Sequence, residues 1–325
     1  MSTAPTGPAR PEGEPRVSVV VRSYRRIRYL TELVGVLTTQ AHDAFEVVVV
    51  EQTPERTPAE TLALDELARD PRVRILDFPP LGGPRARNEG VRAARGELVV
   101  FVDDDDLPLG DTWLAEIEAH FADPHVVGVS CRQVRTTGER PPYVSRALAR
   151  RFVMRYSPLM TPYTFARFDE DVAPVGWLHG TNSAVRREVA MAAGLWDEDV
   201  RNQDEHSFAF KLARWLAAEG RSADHLAFRK TPVVMRRMDA PGGMDKRKAS
   251  LEREIENQAA FQHRVIGRYH PELYRRLRPI YVAQAFARVL TWVWNGARDV
   301  PVGRRVADTV DLARRFHRED GRHRT

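Results

Sequence analysis

Four short runs of β-branched residues, "VSVVVRS" (17–23), "FEVVVVE" (45–51), "VRIL" (73–76) and "ELVVFV" (97–102), most tightly limit what this chain can fold into. Their valines follow one another without polar alternation, so each run has to be covered on both faces. Segments of helical period lie between them, at about 26–40, 58–69 and 84–95. The order βαβαβαβ predicts an α/β fold, a mostly parallel sheet with right-handed crossovers and helices on both sides. Three of the four runs end in polar residues: Arg22, Ser23 and Tyr24; Glu51 and Gln52; and Asp103 to Asp106. Ligands of open parallel sheets bind beyond the carboxyl ends of the strands, where these residues sit.

Further along, "DTWLAEIEAHF" reads as a helix and "VVGVS" (126–130) as a strand. The Arg- and Pro-containing stretch that follows, to about residue 175, carries no clear period. "GTNSAVRREVAMAAG" reads as a strand running into a helix that stops at Gly194. "DEHSFAFKLARWLAAEG" is a longer helix stopped at Gly220, and "TPVVMRR" (231–237) a last strand. From Leu251 on, the pattern is helix or loop interrupted at Pro271, Pro279 and Pro301. The divisions expected are a disordered lead-in over 1–16, an α/β domain over 17–240 and a basic helical C-terminal region over 241–325.

Composition narrows the class. With 325 residues, 42% of them hydrophobic, the chain can bury a large core. Cys131 is the sole cysteine, so an internal disulfide is impossible and a cytoplasmic location is expected. The lead-in "MSTAPTGPARPEGEPR" has no apolar core of the kind a signal peptide needs, and no run reaches the roughly 18 apolar residues of a spanning helix. The formal charge of +5 comes from the arginine-rich tail beyond Leu251. A basic body that grips nucleic acid is therefore not on offer. A peripheral contact of the C-terminal helices with the inner face of a membrane is compatible with this charge.

The run "FVDDDDLP" (101–108) sets four carboxylates directly behind a buried strand. Two neighbouring carboxylates about 5 Å apart repel by roughly 3 kcal/mol at an effective dielectric of about 20. A divalent cation among such hard oxygen ligands relieves the repulsion. Asp103 and Asp105 share one side of an extended segment, and Asp104 and Asp106 the other. A solvated acidic loop ahead of the next helix is the plainer alternative.

The stretch "LGGPRARNEGVRAARGELVVFVDDDD" resembles the family 2 glycosyltransferases of the GT-A fold. That family shows a glycine-bearing loop (here Gly82 and Gly83), an "ARN-x-G" helix (86–90), an "A-x-G-E" turn (94–97) and a strand ending in D-x-D. The resemblance implies a nucleotide-binding half over 17–106 and an acceptor-binding half over 107–240. At the family's "P-T-Y-N-R" stands "RSYRR" (22–26), and at its "D-D-G-S" stands "EQTP" (51–54). On this basis Tyr24, Glu51, Arg87, Asp103, Asp104 and Arg236 are expected at the nucleotide sugar, with uridine the family's commonest base. Asp105, with Asp103, is expected to hold Mn2+ or Mg2+.

The resemblance resumes at "GLWDE" (194–198) and "DEHSFAFKLAR" (204–214), where the family carries "G-G-F-D-E" and an acid pair. It implies an inverting transfer in which Glu205, or Asp204 if the register slides by one, is the general base. The two acids stand in the reverse of the usual order, and both would also stabilise the start of their helix. Trp177, His179 and Asn182 fall where an acceptor would lie, Trp177 having core packing as its plainer alternative. His206 reads as a helix-face histidine. Where relatives carry a histidine after the last strand, this chain has Arg236 and Arg237, and Gly242 and Gly243 in the next loop would let it close over a donor. The acceptor class stays open among sugars, lipid-linked molecules and small molecules. Two competitors are a degenerate GT-A scaffold, suggested by "EQTP" and the reversed acids, and an aspartyl-phosphate phosphatase. Leu107 and Pro108 after the acids speak against the latter.

Overall fold

The computed structural model describes residues 14–136, 153–163, 169–200, 203–237, 258 and 260–296. Strands β1 (Val17–Ser23), β2 (Phe45–Glu51), β3 (Val73–Asp77) and β4 (Leu98–Asp103) alternate with helices α1 (Ile27–Thr38), α2 (Pro58–Leu67) and α3 (Gly83–Ala93). There follow β5 (Asp106–Pro108), α4 (Trp113–Ala119), β6 (Val126–Arg135), β7 (Arg155–Tyr156), β8 (Pro162–Tyr163), β9 (Val172–Val175) and β10 (Ser183–Arg186). Then come α5 (Arg187–Ala192), α6 (Asp204–Ala218) and β11 (His225–Arg236). A π-helical segment (Ala260–Ile266) and a single turn α7 (Gly267–Tyr269) lead into the long α8 (Pro271–Gly296). The lid glycines Gly242 and Gly243, and most of the lead-in, lie outside the described residues.

Among the described residues the main sheet has nine strands, in the order β3-β2-β1-β4-β10-β6-β11-β5, with β9 also paired to β11. It is parallel from β3 to β4 and mixed beyond. β10 runs antiparallel to both β4 and β6, β11 is parallel to β6, and β5 and β9 are antiparallel to β11. The expectation of a mostly parallel sheet therefore describes the first half of the chain. In the second half the short β10 enters the middle of the sheet from the opposite direction.

The uninterrupted valines explain the covering layers. Val17, Val19, Val21, Val47 and Val49 face one core with α1, α2 and α4, whereas Val20, Val48 and Val99 face another with α3, α5 and α6. Helix α2 begins on a capping box in which Thr57 and Glu60 bond each other's backbone N–H groups. Helices α5 and α6 end at Gly194 (φ +87°) and Gly220 (φ +67°), left-handed positions that favour glycine. Gly90 lets α3 lie directly on β1: a Cβ there would stand 2.3 Å from Val20 Cγ1.

The C-terminal helices do not stand apart. Phe261, Val265, Ile266, Tyr269, Leu277 and Tyr281 form a third cluster with Val200 and with Phe210 of α6. Arg214 of α6 donates to the Tyr269 carbonyl at 2.7 Å, and Tyr281 Oη to the Leu159 carbonyl at 3.2 Å. This part of the tail thus packs on the α/β domain. No helix among the described residues is long and apolar enough to cross a membrane.

Candidate active site

The parallel pairing of β1 with β4 sets Arg22 level with Asp103, which joins the first motif to the fourth. Arg22 Nη2 donates to Asp103 Oδ1 at 2.8 Å, and its Nη1 to the Gly83 carbonyl at 3.3 Å. From the far side of the sheet, Arg236 on β11 donates to Asp103 Oδ2 at 3.1 Å and to Asp106 Oδ1 at 3.1 Å. Strand β5 makes this reach possible, because it pairs Asp106 with Arg236 in antiparallel register. Thr181 completes the knot by donating to Asp106 Oδ2 at 2.6 Å and accepting from the Asp103 N–H at 3.0 Å. Burial pushes the Asp103 carboxyl up, but Arg22 and Arg236 more than offset it and hold the group below the usual range. Asp106 is pushed up to about 6 by burial despite Arg236.

The remaining two acids share one arginine. Arg26 Nη2 lies 2.6 Å from Asp104 Oδ1, and its Nη1 2.8 Å from Asp105 Oδ2. Asp104 is 1% exposed, and neither of its oxygens receives a hydrogen bond. Burial drives its carboxyl well above the ordinary range. Asp104 is thus a buried partner of Arg26. Crowding in "DDDD" is thus met by three guanidinium groups, of which the sequence reading gave roles only to Arg236. The register of β1 on β4 was the signal that could have found Arg22.

Whether these acids suit a cation can be judged from their oxygens. Each Asp103 oxygen accepts from an arginine, Oδ1 from Arg22 and Oδ2 from Arg236, so a cation there would share those oxygens with two guanidinium groups. Among the described residues no group of three His, Cys, Asp or Glu side chains could cage an ion. Asp105 fits better: its carboxylate is ion-paired, through Oδ2, with Arg26 alone among the described residues. One carboxylate completed by substrate phosphate oxygens and water is an ordinary way to hold Mg2+.

At the ends of β1 and β2 the expected base-binding residues stand together. Tyr24 is 43% exposed, with the Arg25 guanidinium 5.3 Å from its ring centre. Glu51 is fully buried; its Oε1 accepts from the Thr53 N–H at 2.6 Å, while Oε2 receives no hydrogen bond. Beside it opens a cleft of about 610 Å3 lined by Thr53, Pro54, Arg56, Asp77, Phe78 and Pro79.

Opposite the acid cluster, α6 presents its first turn. Arg87 of α3 is 2% exposed and hydrogen-bonds Asp204 through Nη1, with its guanidinium 5.2 Å from the Trp196 ring centre. This corrects the nucleotide role expected of Arg87: it is an internal brace between α3 and α6. Glu205 lies against Gly180, where a Cβ would come within 2.4 Å of Glu205 Oε1. No hydrogen bond or ion pair from the described residues reaches the Glu205 carboxylate. Burial first, and then the negative charge of Asp204, push it up to about 7. Arg22 feels the charge of Asp103 and, more weakly, of Asp204 and Glu205, so both acid groups lie within its electrostatic reach.

The expected acceptor residues separate. Asn182 is fully buried; its Oδ1 accepts from Trp113 Nε1 at 3.0 Å, and its Nδ2 donates to the Arg132 and Pro232 carbonyls. Trp177 is 1% exposed and packs between Tyr156 and His206. Both are corrected to core residues, because neither has surface to offer an acceptor. His206 is likewise internal, its Nδ1 2.9 Å from Tyr156 Oη. His179 alone of the three stays half-buried at the site, held neutral by burial and by Arg236, which lower its pKa to about 4.

Comparison with known proteins agrees with this architecture. The mannosyltransferase PcManGT from Pyrobaculum calidifontis, in complex with GDP-Man and Mn2+, superposes with a TM-score of 0.55 at 21% identity, covering 95% of this chain and 84% of its own. TarS 1-349 of S. aureus, in complex with UDP-GlcNAc, superposes with a TM-score of 0.56 at 16% identity, covering 92% and 81%. At these identities the likeness shows a shared GT-A fold. In sequence, the uncharacterized glycosyltransferase EpsJ of Bacillus subtilis is 28% identical over 202 residues, 62% of this chain and 56% of that protein. The O-antigen biosynthesis protein RfbC of Myxococcus xanthus is 30% identical over 196 residues, 57% of this chain and 15% of that protein. The chain therefore spans about half of the first relative and a small part of the second. The model of Glycosyl transferase family 2 matches residues 18–193, more than half of the chain, which therefore belongs to that family.

Proposed function

We propose that the chain moves a sugar from a nucleotide-diphosphate donor to an acceptor hydroxyl with inversion at the anomeric carbon. The donor is a UDP-sugar on the family's habit; the two structural neighbours carry GDP-Man and UDP-GlcNAc. Tyr24 would stack on the nucleobase, and the unbonded Oε2 of Glu51 would accept from a base N–H. Asp103, fixed between Arg22 and Arg236, would meet the ribose, while Arg236 itself lies close enough to the acids to steady a phosphate. Asp105 would hold Mn2+ or Mg2+, which when bound takes up charge from the departing diphosphate.

Glu205 would take the proton of the acceptor hydroxyl. The observation that carries this reading is the contrast between adjacent acids: Asp204 is bonded to Arg87, while Glu205, which receives no hydrogen bond from the described residues, is raised to about 7. A carboxylate with that proton affinity works as a base at neutral pH. A single base and a single displacement invert the reacting carbon, by the logic that separates inverting from retaining hydrolases. His179, half-buried on the same side, would contact the acceptor, whether a sugar, a lipid-linked molecule or a small molecule. A lipid-linked acceptor would give the basic C-terminal helices a reason to lie against the inner face of a membrane.

The test is release of nucleoside diphosphate from a panel of nucleotide sugars with Mn2+, followed without an added acceptor. Slow hydrolysis of one donor is expected. A folded sample that neither hydrolyses nor binds any nucleotide sugar overturns the reading.

A further inference from the structure

The arginines of the acid cluster are held in two different ways. Arg22 and Arg236 meet Asp103 through hydrogen bonds of 2.8 and 3.1 Å, which fix both oxygens. Arg26 makes close ion pairs with Asp104 and Asp105, yet its Nη1 is buried without a hydrogen-bond acceptor and both Asp104 oxygens lack a donor. Its hold on Asp105 is a single contact of 2.8 Å through one oxygen, whereas Asp103 is gripped on both oxygens by two arginines. Arg26 also sits on Asp105, the acid best suited to a cation.

We infer that Arg26 is an exchangeable counter-ion, which gives up Asp105 when a divalent cation takes that carboxylate and turns to the donor diphosphate. The inference rests on the transferase reading above. A divalent cation drawn to the Asp105 carboxylate repels the guanidinium that stands 2.8 Å from its Oδ2. An arriving diphosphate is an anion that can receive the displaced guanidinium, for which phosphate oxygens are good partners. The consequence is a linkage: with Arg26 in place the cation alone binds weakly, and nucleotide strengthens its binding. By reciprocity the cation strengthens nucleotide binding by the same factor.

The test measures Mn2+ affinity from the electron paramagnetic resonance of free Mn2+, with and without UDP or GDP, in the wild type and in Arg26→Gln. Expected is Mn2+ binding to Arg26→Gln without nucleotide at least about fivefold tighter than to the wild type, with a correspondingly smaller enhancement by nucleotide. The double variant Arg26→Gln with Asp104→Asn removes the ion pair as a unit. It should behave the same way, and it serves if the single variant does not fold. Mn2+ affinity equal to or weaker than wild type in the folded variants, with nucleotide binding intact in the wild type, overturns the inference alone. A wild type that binds neither nucleotide, with or without Mn2+, overturns the transferase reading and this inference with it.

Discussion

The acids after β4 and the acids at the start of α6 are the same functional group put to opposite uses. Asp103 is bonded by two arginines and kept ionised, a fixed anion that no substrate has to discharge. Glu205 has no such partner among the described residues, and burial beside Asp204 leaves it ready to gain a proton near neutral pH. What separates them is the placement of arginines, with Arg22 and Arg236 on one side and Arg87 spent on Asp204 on the other. A carboxylate's role in this cleft is therefore decided by which guanidinium reaches it.

The sharpest way to break the comparison is Glu205→Gln, which keeps the shape and removes the proton acceptor. Transfer should fall by about 10²- to 10⁴-fold while nucleotide affinity, read by calorimetry, stays near wild type. Normal turnover by this variant would move the base elsewhere. The same variant bears on stability. Because the folded state holds the Glu205 proton up to about 7 while the unfolded chain releases it near the ordinary value of 4.5, the wild type loses stability as pH rises through that window. Thermal melts should show Glu205→Gln gaining on the wild type between those pH values and keeping the gain above them.

Next in size is Arg87→Met, which strips Asp204 of its partner inside the protein. Denaturation should show a loss of about 3 to 5 kcal/mol, largely recovered when Asp204→Asn is added. Gly90→Ala tests the brace from the other end: a methyl pressed on Val20 lifts α3 from β1 at an expected cost of about 1 to 3 kcal/mol. The mildest test is the pH profile of turnover, which should fall about tenfold per pH unit below about 7 as Glu205 takes up its proton. A flat profile between pH 5 and 8 would put Glu205 on the same footing as Asp103.

The parallel half of the sheet was legible because each strand there announces itself as a valine run, and short crossovers leave few ways to arrange them. Beyond β4 the pattern thins. β10 shows four residues and β5 three, and their places depend on partners far away in the chain. That Tyr24 and Glu51 stand at strand ends was readable from position. Trp177 and Asn182 were not, because an aromatic or an amide next to a site looks the same in sequence whether it faces the cleft or the core. The burial of Arg87 and Asp104 was hidden for a related reason: burial is a property of the neighbours, here Trp196, Asp204 and Arg26, and not of the motif.

The docking of the C-terminal helices on α6 has a bearing on how such enzymes are recognised and trimmed. The family match ends at residue 193, eleven positions before α6 begins, so the acid proposed to do the chemistry lies outside the recognised core. Helix α6 is backed by Phe261, Tyr269 and Tyr281 through Phe210, which makes the tail a splint for that acid. A protein cut back to its recognisable portion would keep the donor's seat and lose the means of aiming the attack.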